Sequence, residues 1–208
     1  MMTQSTNSLS DLKINWKDYI KYFHKIEVSP KTRILNKGDI ADKLYIIENG
    51  CVRMGFEKEG KDITMQFYFE NEFFTSVESM FGNCPSNYFI ETIDQSTIYY
   101  LTKDMLQAMM LTLPEMANIT TNILMSRLIY YSNHLHSYLS ENPEQRFNSL
   151  LENRPYIFMR VPQRHIASYL GITNVSLSRI EARKPVGYSQ NVPVNAAASD
   201  NEEYAKNI

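Results

Sequence analysis

The hydrophobic period of this chain changes once, near Thr102, and that change constrains the architecture more than any other feature. Before it, the runs "TRILNKGD", "KLYIIENG", "CVRMGFEKEG", "KDITMQFYFENE" and "STIYYLT" are short and rich in β-branched and aromatic residues. Lys37-Gly38-Asp39, Asn49-Gly50 and Glu59-Gly60-Lys61 punctuate them as turns. Asn49-Gly50 is a good tight-turn signal, because both residues accept positive φ. Brief strands with such turns over 32–102 predict a small sandwich or jelly-roll barrel. A short amphipathic helix over 11–25 precedes them, marked by Leu12, Trp16, Tyr19, Ile20 and Phe23. After Thr102 the strands stop. One helix is expected to begin near Lys103 or Asp104 and to break before Pro114, and a longer one to run from Pro114 to about Leu139. Proline suits the first helical position, where its missing N–H would have no partner.

The long helix carries two apolar stripes. Ala117, Thr121, Leu124, Leu128, Tyr131, Leu135 and Tyr138 alternate spacings of four and three, which is the seam of a coiled coil. Met116, Ile119, Ile123 and Tyr130 form a second stripe that is expected to pack on the barrel. A lone helix needs one apolar face, so two stripes predict a helix held between its own domain and a partner copy. The competing reading is one broad core face in a monomer.

At 208 residues the chain has room for one large domain or two modest ones. No segment approaches the roughly 18 apolar residues of a membrane span. The start "MMTQSTNSLSDLKINW" lacks the basic and apolar regions of a secretory signal, so a cytoplasmic protein without membrane contact is expected. Cys51 and Cys84 are the only cysteines, which excludes a disulfide framework or a four-cysteine metal site. One bridge between them is the alternative to the expected pair of buried free thiols. The net charge is −2, but between Glu144 and Lys184 seven basic residues (Arg146, Arg154, Arg160, Arg164, Arg179, Arg183, Lys184) face three acidic ones. Such a basic segment fits either a phosphate-facing surface or a solvated helical face.

That segment contains "QRHIASYLGITNVSLSRIEARK". Pro162 can open a first helix with Ile166, Ala167 and Leu170 on its buried face, and Gly171 falls where the chain must turn. Ile172 anchors the turn, Thr173 is a good N-cap, and Leu177 and Ile180 face inward along a second helix. Asn174, Ser176, Ser178, Arg179 and Arg183 are left for the outer face, the arrangement of a helix-turn-helix. Asparagine pairs two-point with adenine, arginine with guanine, and valine touches a thymine methyl. Asn174, Val175 and Arg179 are therefore the candidate base readers, and Gln163, Arg164, Ser176 and Arg183 the candidate phosphate contacts. The alternative is a helical hairpin with no ligand.

Barrel, long seam helix and helix-turn-helix in this order resemble the Crp/Fnr family of bacterial transcription regulators over about Trp16 to Lys184. The pieces that carry the resemblance are "GDIADKLYIIENGCVR" and "RHIASYLGITNVSLSRI". The resemblance implies an α+β fold: a β-roll sensor of the cyclic-nucleotide-binding type over 11–113, a dimerisation helix over 114–140, and a DNA-binding domain over 144–184. A polar tail over 185–208, read as mobile, follows. It further implies a homodimer joined along Leu124, Leu128, Tyr131, Leu135 and Tyr138, a palindromic double-stranded operator, contact with RNA polymerase, and a small effector in the barrel. Asn174, Val175, Ser176 and Arg179 match the positions where the family touches DNA.

Two departures accompany the match. Cyclic-AMP-binding members carry a Gly-Glu pair for the ribose and an Arg-Ser or Arg-Thr pair for the phosphate. Here the region reads "FFTSVESMFGNCPSNYFIE", with Glu78 one register off and Pro85-Ser86 or Ser86-Asn87 in place of the arginine pair. Glu78, Ser86 and Asn87 remain the candidate effector-pocket residues, but the loss of a charge-assisted phosphate contact argues against cyclic AMP. The barrel aromatics Phe67, Phe69, Phe73, Phe74 and Tyr88 are numerous enough to fill the cavity themselves. Pro185 cuts short the wing that family members usually have. No cofactor is called for: the cysteines of the iron–sulfur members are missing before Cys51, and His24, His134, His136 and His165 fit surface or capping positions better than haem ligation. His165 is placed to meet a phosphate when protonated. With no glycine-rich phosphate loop, metal-ligand spacing or nucleophile elbow, an enzyme is not expected. The competing function is a ligand-sensing or protein-interaction module with a vestigial DNA-binding part.

Overall fold

The computed structural model describes residues 16–183. The tail over 185–208, Lys184 and the first part of the expected N-terminal helix lie outside them. What is described of that helix is a 3-10 turn, Trp16–Tyr22, because β1 (His24–Val28) begins two residues later. Trp16 is buried, and its indole N–H donates to Asn71 Oδ1 at 3.1 Å.

The described residues hold eight strands: β1, β2 (Arg33–Leu35), β3 (Lys43–Asn49), β4 (Val52–Lys58), β5 (Lys61–Tyr68), β6 (Phe73–Phe74), β7 (Phe89–Thr92) and β8 (Ser96–Thr102), of which β2, β3, β4, β5 and β8 fall on the runs named above. They form two antiparallel four-stranded sheets, β1-β8-β3-β6 and β2-β7-β4-β5. The result is a sandwich, not a closed barrel. Between the sheets lie Leu44, Ile47, Val52, Met54, Tyr68, Phe74, Ile90 and Leu101. At the Asn49-Gly50 turn only Gly50 takes positive φ (116°), and a Cβ there would overlap Ser96. A short helix α1 (Val77–Gly82) sits between β6 and β7.

The helices begin where the period changes. α2 (Lys103–Thr112) is capped by the Thr102 hydroxyl, and α3 (Pro114–Ser140) starts on its proline and runs about 40 Å. Met116 and Ile119 pack on the sandwich core, as the second stripe required. Pro143 opens α4 (Pro143–Asn153). Asn142 accepts from the backbone N–H of Gln145, whose side chain accepts in return, and this capping box fixes the start. α5 (Tyr156–Arg160), α6 (Gln163–Tyr169) and α7 (Asn174–Glu181) complete the chain, and α5 had no signal of its own in the sequence.

Period-2 alternation makes β5 the hinge of the architecture. Gln66 and Tyr68 point between the sheets, while Phe67 and Phe69 point out of the sandwich into a second core. There they meet Cys51, Phe147, Leu150, Ile157, Ile166, Leu177 and Ile180. Phe67 and Phe69 therefore do not fill the sandwich interior. The two thiols also part company, Cys51 buried and Cys84 exposed.

Candidate functional site

The helix pair α6–α7 is built as the spacing required. Gly171 turns with φ +70°, its N–H donating to Ser168 O and that of Ile172 to Ala167 O. A Cβ on Gly171 would meet the Tyr138 hydroxyl of α3 at 2.5 Å. Thr173 caps α7, its hydroxyl accepting from Ser176 N at 3.1 Å. Leu177 and Ile180 are buried, whereas Asn174, Val175, Ser178 and Arg179 are exposed along the opposite face.

The candidate phosphate contacts are less free. Gln163 donates to Glu181 at 3.0 Å, Arg183 lies 3.6 Å from Glu144, and the half-buried Ser176 hydroxyl bonds that of Thr173. Arg164 is exposed, but its Nε–H donates to His165 Nε2 at 3.2 Å. His165 itself is buried, and burial, followed by the Arg53 and Arg164 charges, pushes its pKa down to about 4. It is neutral at ordinary pH, so the expected phosphate contact through a charged His165 does not hold.

Much of the local basic surplus also turns inward. Arg160 forms a forked pair with Glu70 (2.7 and 2.9 Å) and reaches Asp94 at 3.2 Å. Burial would raise the Glu70 carboxyl, yet the Arg160 bonds hold it below its ordinary value. Arg154 is buried against Glu72 and Tyr156, and Arg146 donates to the Leu170 and Glu141 carbonyls. The guanidinium groups of Arg154 (5.4 Å) and Arg160 (5.1 Å) both lie near the centre of the Phe69 ring. These three arginines bind the C-terminal helices to one another and to the sheet; they do not present charge to a ligand. Composition could not separate these roles, because the carboxylate partners of Arg154 and Arg160 are 66 to 90 residues away.

The candidate effector residues are also engaged. The Ser76 hydroxyl donates to Glu78 (2.7 Å) and shares a bond with Ser86 (2.7 Å), which in turn donates to Tyr88 O. Asn87 is exposed and stands apart. The cavity lies deeper, between the sandwich and α3, with Leu44, Tyr68, Phe74, Phe81, Leu124, Arg127 and Tyr131 among its walls. Its volume is about 30 Å³, room for about one water.

The expected seam divides accordingly. Leu128 and Leu135 are exposed, and Met125 and Leu139 extend that face. Leu124 and Tyr131 turn toward the cavity, and Tyr138 covers Gly171 while the Arg146 guanidinium lies 4.8 Å from its ring. Tyr130, from the second stripe, hydrogen-bonds Tyr169 of α6 at 2.9 Å instead of packing on the sandwich. Among the described residues no helix is long and apolar enough to cross a membrane.

Residues 25–112 match the cyclic nucleotide-binding domain. No curated protein matches the sequence. Among solved structures, the c-di-GMP responsive global regulator CLP of Xanthomonas campestris is 16% identical, with 80% of this chain and 88% of that one covered at a TM-score of 0.66. FixK2 of Bradyrhizobium japonicum is 15% identical, with 77% and 83% covered at 0.67. A CooA variant from Carboxydothermus hydrogenoformans is 18% identical, with 87% and 85% covered at 0.64. Residues 25–112 thus resemble a cyclic nucleotide-binding domain, and the chain shares the fold of these three solved structures.

Proposed function

We propose that this protein is a sequence-specific, DNA-binding transcription regulator of the Crp/Fnr type. The observation that carries the reading is the outer face of α7. Asn174, Val175 and Arg179 stand exposed over a buried Leu177 and Ile180, on a helix whose start is fixed by Gly171 and Thr173. Three side chains of those types can read adenine, a thymine methyl and guanine from the major groove. Arg164 and Arg183 are the exposed cations left to reach phosphate. Two copies joined along Leu128 and Leu135 would set their recognition helices about 34 Å apart, one turn of DNA, on a palindromic operator. RNA polymerase is the partner such a complex would engage.

The effector is not cyclic AMP in this reading. The Ser76 hydroxyl is engaged by Glu78 and Ser86, and the chain neighbours of Ser86, Pro85 and Asn87, supply no arginine to meet a cyclic phosphate. The inward-turned Arg146, Arg154 and Arg160 favour the second reading, a sensing or interaction module whose helix pair no longer binds DNA.

In vitro selection of random duplex DNA at moderate salt separates the two. A regulator enriches a two-fold-symmetric site with half-sites one turn apart, and Arg179→Ala weakens that site by about 1–3 kcal/mol. A folded dimer that enriches nothing, with Arg179→Ala indistinguishable from the parent, would sink the first reading.

A further inference from the structure

One residue on the outer face of α7 differs in kind from its neighbours. Val175 is 60% exposed, an apolar side chain between Asn174 and Arg179 on a face that is otherwise polar or small. It is the second residue of the helix, and the Thr173 cap fixes where that helix starts. Valine in a helix also holds essentially one χ1 rotamer. The isopropyl group is therefore presented in a set direction, with little side-chain freedom left to lose on contact. Ser178 and Ala182 follow three and seven residues on, in the same row, and both are exposed. Side chains that short let a surface close down on the isopropyl group, which longer ones would hold off.

The polar groups nearby are turned to other tasks. The Ser176 hydroxyl, next in the chain, bonds that of Thr173 at 3.0 Å, and Gln163 of α6 is held by Glu181. On the major-groove edge of a base pair the apolar group is the 5-methyl of thymine. Uracil and cytosine lack it, whereas 5-methylcytosine carries the same methyl at the same ring position. Thymine and 5-methylcytosine differ at position 4, an acceptor oxygen against a donor amine. An isopropyl group has no donor and no acceptor, so it responds to the methyl and is blind to that difference.

We propose that Val175 makes DNA recognition depend on a pyrimidine 5-methyl group, so that thymine facing it binds better than uracil and 5-methylcytosine better than cytosine. Methylation of a cytosine at that place strengthens the half-site. This dependence rests on the regulator reading of α7. Arg179 stands four residues further on, about 6 Å along the helix axis, so its guanine lies one to two base pairs from the methyl. Burying one methyl against the isopropyl group is worth about fourfold in affinity per half-site, and about fifteenfold over two half-sites.

The test uses the full chain and three pools of random duplex DNA: unmodified, with deoxyuridine replacing thymidine, and with 5-methyldeoxycytidine replacing deoxycytidine. The unmodified pool should yield one fixed thymine per half-site, within two base pairs of a fixed guanine. In fluorescence-anisotropy titrations of the selected duplex, uracil at both of those thymines should weaken binding about fifteenfold. With cytosine–guanine pairs there instead, methylating both cytosines should tighten binding by a similar factor. Val175→Ala should bring both ratios close to one, and Val175→Thr, which keeps one of the two methyl groups, should retain part of them. Arg179→Ala should weaken every duplex and leave the ratios alone. Ratios near one in the parent would overturn the proposal, as would ratios that persist in Val175→Ala, because the methyl would then act through DNA shape or another side chain. A symmetric site recovered with either of those results keeps the regulator reading and discards only the methyl dependence; no site from any pool discards both.

Discussion

His165 makes the helix pair sensitive to acid. The Arg164 bond to its Nε2 places the ring proton on Nδ1, and a second proton would sit among Arg53, Arg164 and only one facing carboxylate, Asp62. The unfolded chain takes that proton near the ordinary value of 6.5 and the folded one only near 4. The unfolded state therefore binds more protons between those values, and stability falls as pH drops from 6.5 to 4. The loss is about 3 kcal/mol, full stability being present above 6.5. Urea titrations across that window should show the decline, and His165→Asn should flatten it. Gly171 tests the geometry next to it. Alanine there would carry both the strain of φ +70° and an overlap with Tyr138, so Gly171→Ala should cost about 1–3 kcal/mol by thermal melting. The glycine was legible in the sequence as a turn, but Tyr138 against it was not, since the spacing that marked Tyr138 as a seam residue says nothing of a neighbour 33 positions on.

At the scale of elements, the docking of α6 on β5 decides how the helices sit. β5 is an edge strand, and the Ser168 hydroxyl accepts from Thr64 N (2.9 Å) and donates to Asp62 O (3.1 Å). One side chain thus serves two backbone groups of the edge. Ser168→Ala should leave Thr64 N unserved, cost about 1–2 kcal/mol, and speed amide exchange at Thr64 more than at Phe67. Elements were read from the sequence where local chemistry dictates them. Turn glycines placed β3, β4 and β5, and Pro114 opened α3 where expected. β1 and α5 escaped because five residues of "HKIEV" or "YIFMR" carry no period long enough to read. The direction of Phe67 and Phe69 escaped as well: alternation says they share a face but not which face is the sandwich interior.

For the whole molecule, the unpartnered face of α3 matters most. Met125, Leu128, Leu135 and Leu139 are exposed along one helix, an apolar stripe of the kind that marks an interface. Leu128→Glu with Leu135→Glu should convert a dimer to a monomer in sedimentation velocity and change the unfolding free energy of the monomer by no more than about 0.5 kcal/mol. A parent protein that sediments as a monomer would remove the seam from the account. The candidate effector site was the least legible part. Motif comparison pointed to Glu78, Ser86 and Asn87, whereas the walls of the cavity beside α3, Tyr68, Leu124, Arg127 and Tyr131 among them, come together only through tertiary packing.

The second core has a consequence for the protein in pieces. Phe67 and Phe69, more than 80 residues earlier in the chain, are part of what shields Ile157, Ile166 and Leu177 from water. The C-terminal helices are therefore no cassette. Expressed without the sandwich they would leave that oily floor bare and clump, and a ribosome that has finished α7 before β5 is in place has nothing onto which to fold it.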